Sequence, residues 1–191
     1  MAIDPIALLR KYYRDNPRAY EILLVHSTMV QKKALEVAER VPELHADTTF
    51  IREAAMLHDI GIFQTNAPGI GCFGKHQYIE HGVLGRQILE QEGLPRHALV
   101  CERHVGVGLR REDILAGSMP LPPRDMLPET VEEEIICYAD KFFSKSPEKL
   151  RTEKPVADIL RKLSSYGEDK AKIFENWMKK FREPGSTSLI P

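Results

Sequence analysis

The sequence is short of several things. Its three cysteines, Cys72, Cys101 and Cys137, are too few and too unevenly spaced for a disulfide framework or a zinc ribbon. They read as reduced thiols, which points to the cytoplasm. No apolar run approaches the roughly 18 residues that a membrane span requires. Met1 to Tyr13 has no signal-peptide core, because Asp4, Arg10 and Lys11 interrupt it. Neither sign of charge prevails: 27 Lys and Arg meet 28 Asp and Glu, for a net charge of −1. A dedicated nucleic-acid binder would usually be basic, so nucleic acid is not expected as a partner. There is no internal repeat, no low-complexity tract and no alternating strand pattern of useful length.

What is there is helical period. Pro17 to Val41 carries Ile22, Leu23, Val30, Ala34, Val37 and Val41 on one stripe, and Pro42 stops it. Asp47 and Thr48 offer an N-cap for a short buried helix with Ile51, Ala54, Ala55 and Leu57, ending near Gly61. Residues 61–78, rich in glycine, read as a long loop with little regular structure. Helices follow over 78–92, closed by Gly93, and from Pro95 to about 105, where Gly106 and Gly108 break the pattern. A second loop spans 106–128, with its prolines at 120–128. Residues 129–145 form a helix with acidic residues in the first turn. Pro147 and Pro155 look like helix starts, and about 167–182 is a last helix with Ile173, Phe174, Trp177 and Phe181 on its core face. From Pro184 a short tail is expected. The fold class is all-α, a compact multi-helix bundle in one domain.

Among the seven histidines, His26 and His58 fall on apolar helical stripes. Alone, each reads as an ordinary core histidine. Asp140 is harder to dismiss, with Ile136, Cys137 and Phe143 as its helical neighbours. A carboxylate there costs several kcal/mol unless it is paired or bound to a metal. Lys141 lies about 100° round the helix, which makes it a poor neutralising partner. His81 leads Leu84 and Ile88 on one face, and His104 follows Val100 and Cys101. Imidazole and carboxylate suit Fe, Mn, Zn or Mg, and two cations need a shared carboxylate with several nitrogens around it.

His26, the pair His58-Asp59 and Asp140, in that order, resemble the HD-domain superfamily of metal-dependent phosphohydrolases. His58-Asp59-Ile60-Gly61 is similar to its HDIG subgroup, and His81 and His104 fall where binuclear members place two more histidines. His81 to Gly85, Gly93-Leu94-Pro95 and Glu102 to Gly106 are similar to small bacterial and archaeal members. The resemblance covers about 19–146 and implies an HD-domain bundle, with residues 147–183 as appended helices. It implies that His26, His58, Asp59 and Asp140 hold one divalent metal, that His81 and His104 serve a second, and that Asp59 bridges. Asp59 and His58 then carry the catalysis, with Fe, Mn, Mg, Co or Zn activating a water for in-line attack on phosphorus. Members that cleave cyclic dinucleotides have Lys after HDIG and a GYP motif; here Ile62 follows and GYP is absent.

The expected substrate is a small phosphorylated, nucleotide-like molecule, held by cations near the metals. Lys75, Arg103, Arg110 with Arg111, and Lys141 are the candidates, each of which reads more readily as a solvated surface charge. His76 is a further candidate as a proton donor, whereas His45 and His97 have surface or packing roles. Residues 69–74 are no phosphate loop, because they follow a helix and Gly74-Lys75 precedes His76. Two other functions suit the same ligands: a di-iron oxygenase of the HD-like type, and a metal-binding signalling protein without turnover. A homodimer is compatible with the sequence.

Overall fold

A computed structural model describes residues 3–184. Nine α-helices carry the described residues: α1 Pro5–Tyr12, α2 Pro17–Arg40, α3 Thr48–Leu57, α4 His81–Gln91, α5 Pro95–Arg103, α6 Arg111–Ala116, α7 Val131–Lys141, α8 Val156–Ser164 and α9 Glu168–Lys180. None is long and apolar enough to cross a membrane. Their starts follow from local chemistry. Asp4, Asn16, Asp47 and Thr130 accept the backbone N–H three residues on and so cap α1, α2, α3 and α7. Each such cap contributes about 1 kcal/mol. Proline opens α1, α2 and α5, where its missing N–H costs nothing.

The long α2 packs on α3 and α7, α4 lies along α5, and α8 packs on α9. One apolar cluster joins Val30, Val37, Ile51, Ile135, Ile136 and Tyr138 to Phe174, Trp177 and Phe181 of α9. A second gathers Leu9, Tyr13, Leu23, Leu57, Ile60 and Leu89 under α1. Each fully buried large apolar side chain contributes roughly 1.5–3 kcal/mol. Histidines and aspartates carried on these inward faces are buried with them.

The all-α expectation holds, with differences of detail. Residues 60–80 are more ordered than a featureless loop. They hold 3₁₀ turns at Ile60–Gln64, Pro68–Ile70 and Tyr78–Glu80, and a small antiparallel ladder, β1 Asn66–Ala67 with β2 Cys72–Phe73. The segment is pinned because Gly61 comes so close to α4 that a Cβ there would overlap the His81 carbonyl and the Gly85 N–H. Helix α6 lies inside the stretch expected as loop. Leu109 and Met126 exchange backbone hydrogen bonds of 3.0 and 2.8 Å, which closes the 109–126 segment around it. Pro147 starts only a 3₁₀ turn, Pro147–Lys149. Beyond Pro184 the expected tail lies outside the described residues.

Candidate metal centre

Five elements each deliver one or two groups to a single point. His26 comes from the middle of α2, His58 and Asp59 from the turn that ends α3, and His81 from the first residue of α4. His104 comes from the residue that ends α5, and Asp140 from the last turn of α7. All six are buried, His26, His58 and Asp59 completely.

Asp59 sits at the middle. Its Oδ2 lies 3.2 Å from His26 Nε2 and 3.1 Å from His58 Nε2. Its Oδ1 lies 3.4 Å from His81 Nε2 and 3.3 Å from His104 Nε2. Asp140 Oδ1 completes the first side, 3.1 Å from His26 Nε2 and 3.5 Å from His58 Nε2. Two groups of potential metal ligands therefore share one carboxylate: His26, His58, Asp59 and Asp140, and Asp59, His81 and His104.

The backbone decides which ring nitrogen faces inward. The Nδ1–H of His58 donates to the Ala55 carbonyl at 2.7 Å, that of His81 to Tyr78 at 2.6 Å, and that of His104 to Cys101 at 2.7 Å. In the neutral imidazole this leaves a lone pair on each Nε2. The Nε2 atoms of His81 and His104 then face each other at 3.2 Å. His58 Nε2 and both Asp59 oxygens are buried with no well-formed hydrogen bond. Lone pair against lone pair, out of water, is unfavourable unless a cation lies between. The donor set thus fits divalent cations, with borderline-to-hard nitrogen and oxygen ligands suited to first-row metals or Mg.

Without a metal, protons answer part of the same demand. Burial alone would lower His58, but the neighbouring carboxylates of Asp59 and Asp140 bring it up to about 9. His81 goes the other way, to about 3, because burial dominates and the neighbouring His104 and Lys145 add to it. Burial would raise Asp59, yet His58 and Lys145 hold it well below the usual carboxylate range.

The substrate-side cations divide sharply. Lys141 reaches back to Asp140 Oδ2 at 2.8 Å and donates to the His104 carbonyl at 3.2 Å. This corrects the expectation that its place on the helix makes it a poor partner. A flexible four-carbon stem spans the 100° that a short side chain could not. Arg103 turns away and is held by Glu133 at 3.0 Å and Glu129 at 3.0 Å. Arg110 is exposed beside Glu112, and Arg111 and Lys75 are exposed. His76 is exposed and pairs with Glu80 at 3.0 Å. His45 is exposed, and His97 is buried against Phe50 and Glu53. The sequence reading missed Lys145, whose Nζ lies 2.7 Å from Asp59 Oδ2. The sequence reading carried the helix over 129–145 on to Lys145, whereas α7 ends at Lys141 and the turn beyond it brings Lys145 back to Asp59.

A cavity of about 580 Å³ opens from His81, His104 and Asp140, with Lys141 and Lys145 in its wall. That volume suits a small organic ligand.

Comparison with known proteins agrees with this architecture. The model of the HD domain matches residues 23–144. The chain is 35% identical over 125 residues to an uncharacterised protein of Methanocaldococcus jannaschii, covering 64% of this chain and 66% of that one. It is 34% identical over 127 residues to a tRNA (cytidine(56)-2'-O)-methyltransferase of Thermoplasma volcanium. That match covers 66% of this chain but 33% of the methyltransferase. In solved structures, the HD domain of the L. monocytogenes phosphodiesterase PgpH in complex with cyclic-di-AMP superposes with a TM-score of 0.51 at 20% identity. It covers 88% of this chain and 91% of that one, a likeness of fold.

Proposed function

The chain belongs to the HD-domain family, and on that premise we propose that it is a metal-dependent phosphohydrolase. It cleaves a phosphate ester or phosphoanhydride of a small nucleotide-like substrate. The observation that supports this most is the set of unsatisfied lone pairs around Asp59, placed beside two lysines at the end of a cavity. His26, His58, Asp59 and Asp140 would hold one divalent cation, and Asp59, His81 and His104 a second, drawn from Fe, Mn, Mg, Co or Zn. Bound there, such cations supply an activated water and offset charge on the phosphoryl oxygens.

The chain's own residues orient the rest. The Nδ1 donations of His58, His81 and His104 keep each Nε2 aimed inward, so the ligand cage costs little to assemble. Lys145 stays charged at neutral pH. Burial lowers its affinity for a proton, but Asp59, Tyr78 and Asp140 more than reverse that. With Lys141 it gives two ammonium groups at the cavity end, placed to bind non-bridging phosphate oxygens. Phosphate binding there would draw Lys145 from Asp59 without exposing its charge. We read the whole chain as one HD domain acting on a small molecule, without nucleic acid or membrane. The methyltransferase activity of the relatives is not carried over, because the chain matches only a third of their length.

The test is metal analysis of the purified protein, followed by phosphate-release assays with Mn, Fe, Co, Mg and Zn. Bound metal and metal-dependent release are expected in the wild type and absent in Asp59→Ala. Full metal content and activity in that variant would overturn the assignment. Oxygen consumption with an organic co-substrate, and no phosphate release, would establish the oxygenase instead.

A further inference from the structure

The lining of the cavity beside the cluster is largely apolar apart from two sets of charged groups. Beside Lys141 and Lys145 its lining includes Val105, Val107, Leu109, Met119 and Leu163. At the rim stands Tyr166, in the turn between α8 and α9, with its side chain among the most exposed aromatics of the chain at 66%. The Lys162 ammonium lies 4.7 Å from its ring centroid and restrains it. Lys170 and Asp113, also in the lining, form an ion pair of 2.6 Å.

We propose that this cavity takes a phosphate monoester with an apolar, ring-bearing body, and that Tyr166 selects for that body. The proposal rests on the phosphohydrolase reading above and narrows its substrate. Charge bounds the anion. Asp59, Asp113 and Asp140 balance Lys141, Lys145 and Lys170, and Lys170 is already taken by Asp113 and by Asp169 at 3.1 Å. With Asp59 and Asp140 turned to bound metal, Lys141 and Lys145 would be the lining cations left for an anion, enough for one phosphoryl group. A polyphosphate chain would run its further charges over apolar side chains and toward Asp113, at a desolvation cost nothing there offsets. Size bounds the body: about 580 Å³ is far more than a phosphate fills. Its apolar wall and its aromatic rim favour a flat or hydrophobic group. Leu163, Tyr166 and Lys170 lie outside residues 23–144, so this wall is an addition to the family's core.

The experiment compares wild type, Tyr166→Ala and Tyr166→Phe on 1-naphthyl phosphate, glycerol 2-phosphate and tripolyphosphate. Two readouts run in parallel: phosphate release, and binding of 1-naphthyl phosphate followed by its own fluorescence anisotropy. Tyr166 is exposed, so its replacement leaves the fold intact. Wild type should prefer the naphthyl ester. Tyr166→Ala should raise KM and Kd for that ester about 2- to 12-fold, the worth of one aromatic contact. Its kcat, and all constants for glycerol 2-phosphate, should stay unchanged, and Tyr166→Phe should behave as wild type. Equal naphthyl phosphate affinity in wild type and Tyr166→Ala would overturn the proposal, as would preferential hydrolysis of tripolyphosphate. Tyr166-dependent binding with no phosphate release from any compound would uphold the pocket assignment and overturn the phosphohydrolase reading.

Discussion

Helix α7 separates two buried charged clusters, and they behave as opposites. Around Asp140 lie His26, His58 and Asp59, with His58 Nε2 and both Asp59 oxygens left without a well-formed hydrogen bond and the Lys145 ammonium as the nearby charge. Around Tyr138, two residues earlier, lies a cluster in which every charge is met. Lys33 Nζ contacts Glu183 at 2.8 Å and Glu153 at 2.6 Å, and lies 4.1 Å from the Phe142 ring centroid. Glu183 also takes the Tyr138 hydroxyl at 2.9 Å and Arg40 at 3.0 Å. That second cluster ties α2 to the chain just beyond α9. The difference teaches how to read buried charge. A satisfied cluster is a clasp within the protein, whereas lone pairs that converge in excess of the donors around them are arranged for something the chain does not itself contain.

The largest effect expected from this contrast is on activity. Asp59→Ala should remove bound metal and reduce metal-dependent phosphate release by about 10³-fold or more, the several kcal/mol that metal catalysis supplies. Elemental analysis and steady-state assay check it, and retained metal would erase the contrast. Next comes metal-linked stability. Metal present at about a thousand times its Kd should stabilise the wild type by about 4 kcal/mol over the chelated protein. Denaturant titrations should show that gap lost in Asp59→Ala and kept in Glu183→Ala.

Glu183→Ala should itself cost about 3 kcal/mol, the effect of breaking a buried pair, with metal content and kcat unchanged. If it lost metal, the two clusters would be one network. The same residue has a pH signature. Burial would raise the Glu183 carboxyl, but Lys33, Tyr138 and Arg40 hold it below its ordinary value of 4.5. Its stabilisation is therefore present in full above that value and fades as pH falls through the lower folded one. Urea midpoints measured from pH 7 down to pH 3 should fall less steeply in Glu183→Gln than in the wild type. The smallest effect sharpens the positioning of the site. Tyr13 OH donates to the Ile60 carbonyl at 3.0 Å and accepts from Phe63 N–H at 3.1 Å, bracing the turn after Asp59. Tyr13→Phe should cost about 1–2 kcal/mol with metal still bound, read by the same titrations.

Much of the first cluster was legible in the sequence, and the second was not. His26, His58, His81, His104 and Asp140 sit in periodic apolar helices, so periodicity alone aims them inward. Lys33 and Glu183 carry no such signal. Lys33 sits in Gln31-Lys32-Lys33, and Glu183 falls after the last helix, so both read as surface. Lys145 escaped because the expected helix over 129–145 stops at Lys141 and the chain turns back after it. For Arg103 and Arg110, proximity in sequence to His104 says nothing about which carboxylate a long side chain will meet. Arg103 meets Glu133, thirty residues on.

The sequence by itself determined the all-α class, the family and the inward-facing histidines and aspartates. These depend on helical period and short motifs, which are properties of neighbouring residues. Tertiary packing is what gives each pair of histidines one oxygen of Asp59, sets Lys145 on Asp59 and Lys141 on Asp140, and brings Tyr166 to the cavity. Those relations join side chains far apart along the chain. Long flexible cations and turn residues have no preferred direction until the packed helices around them leave one place to go.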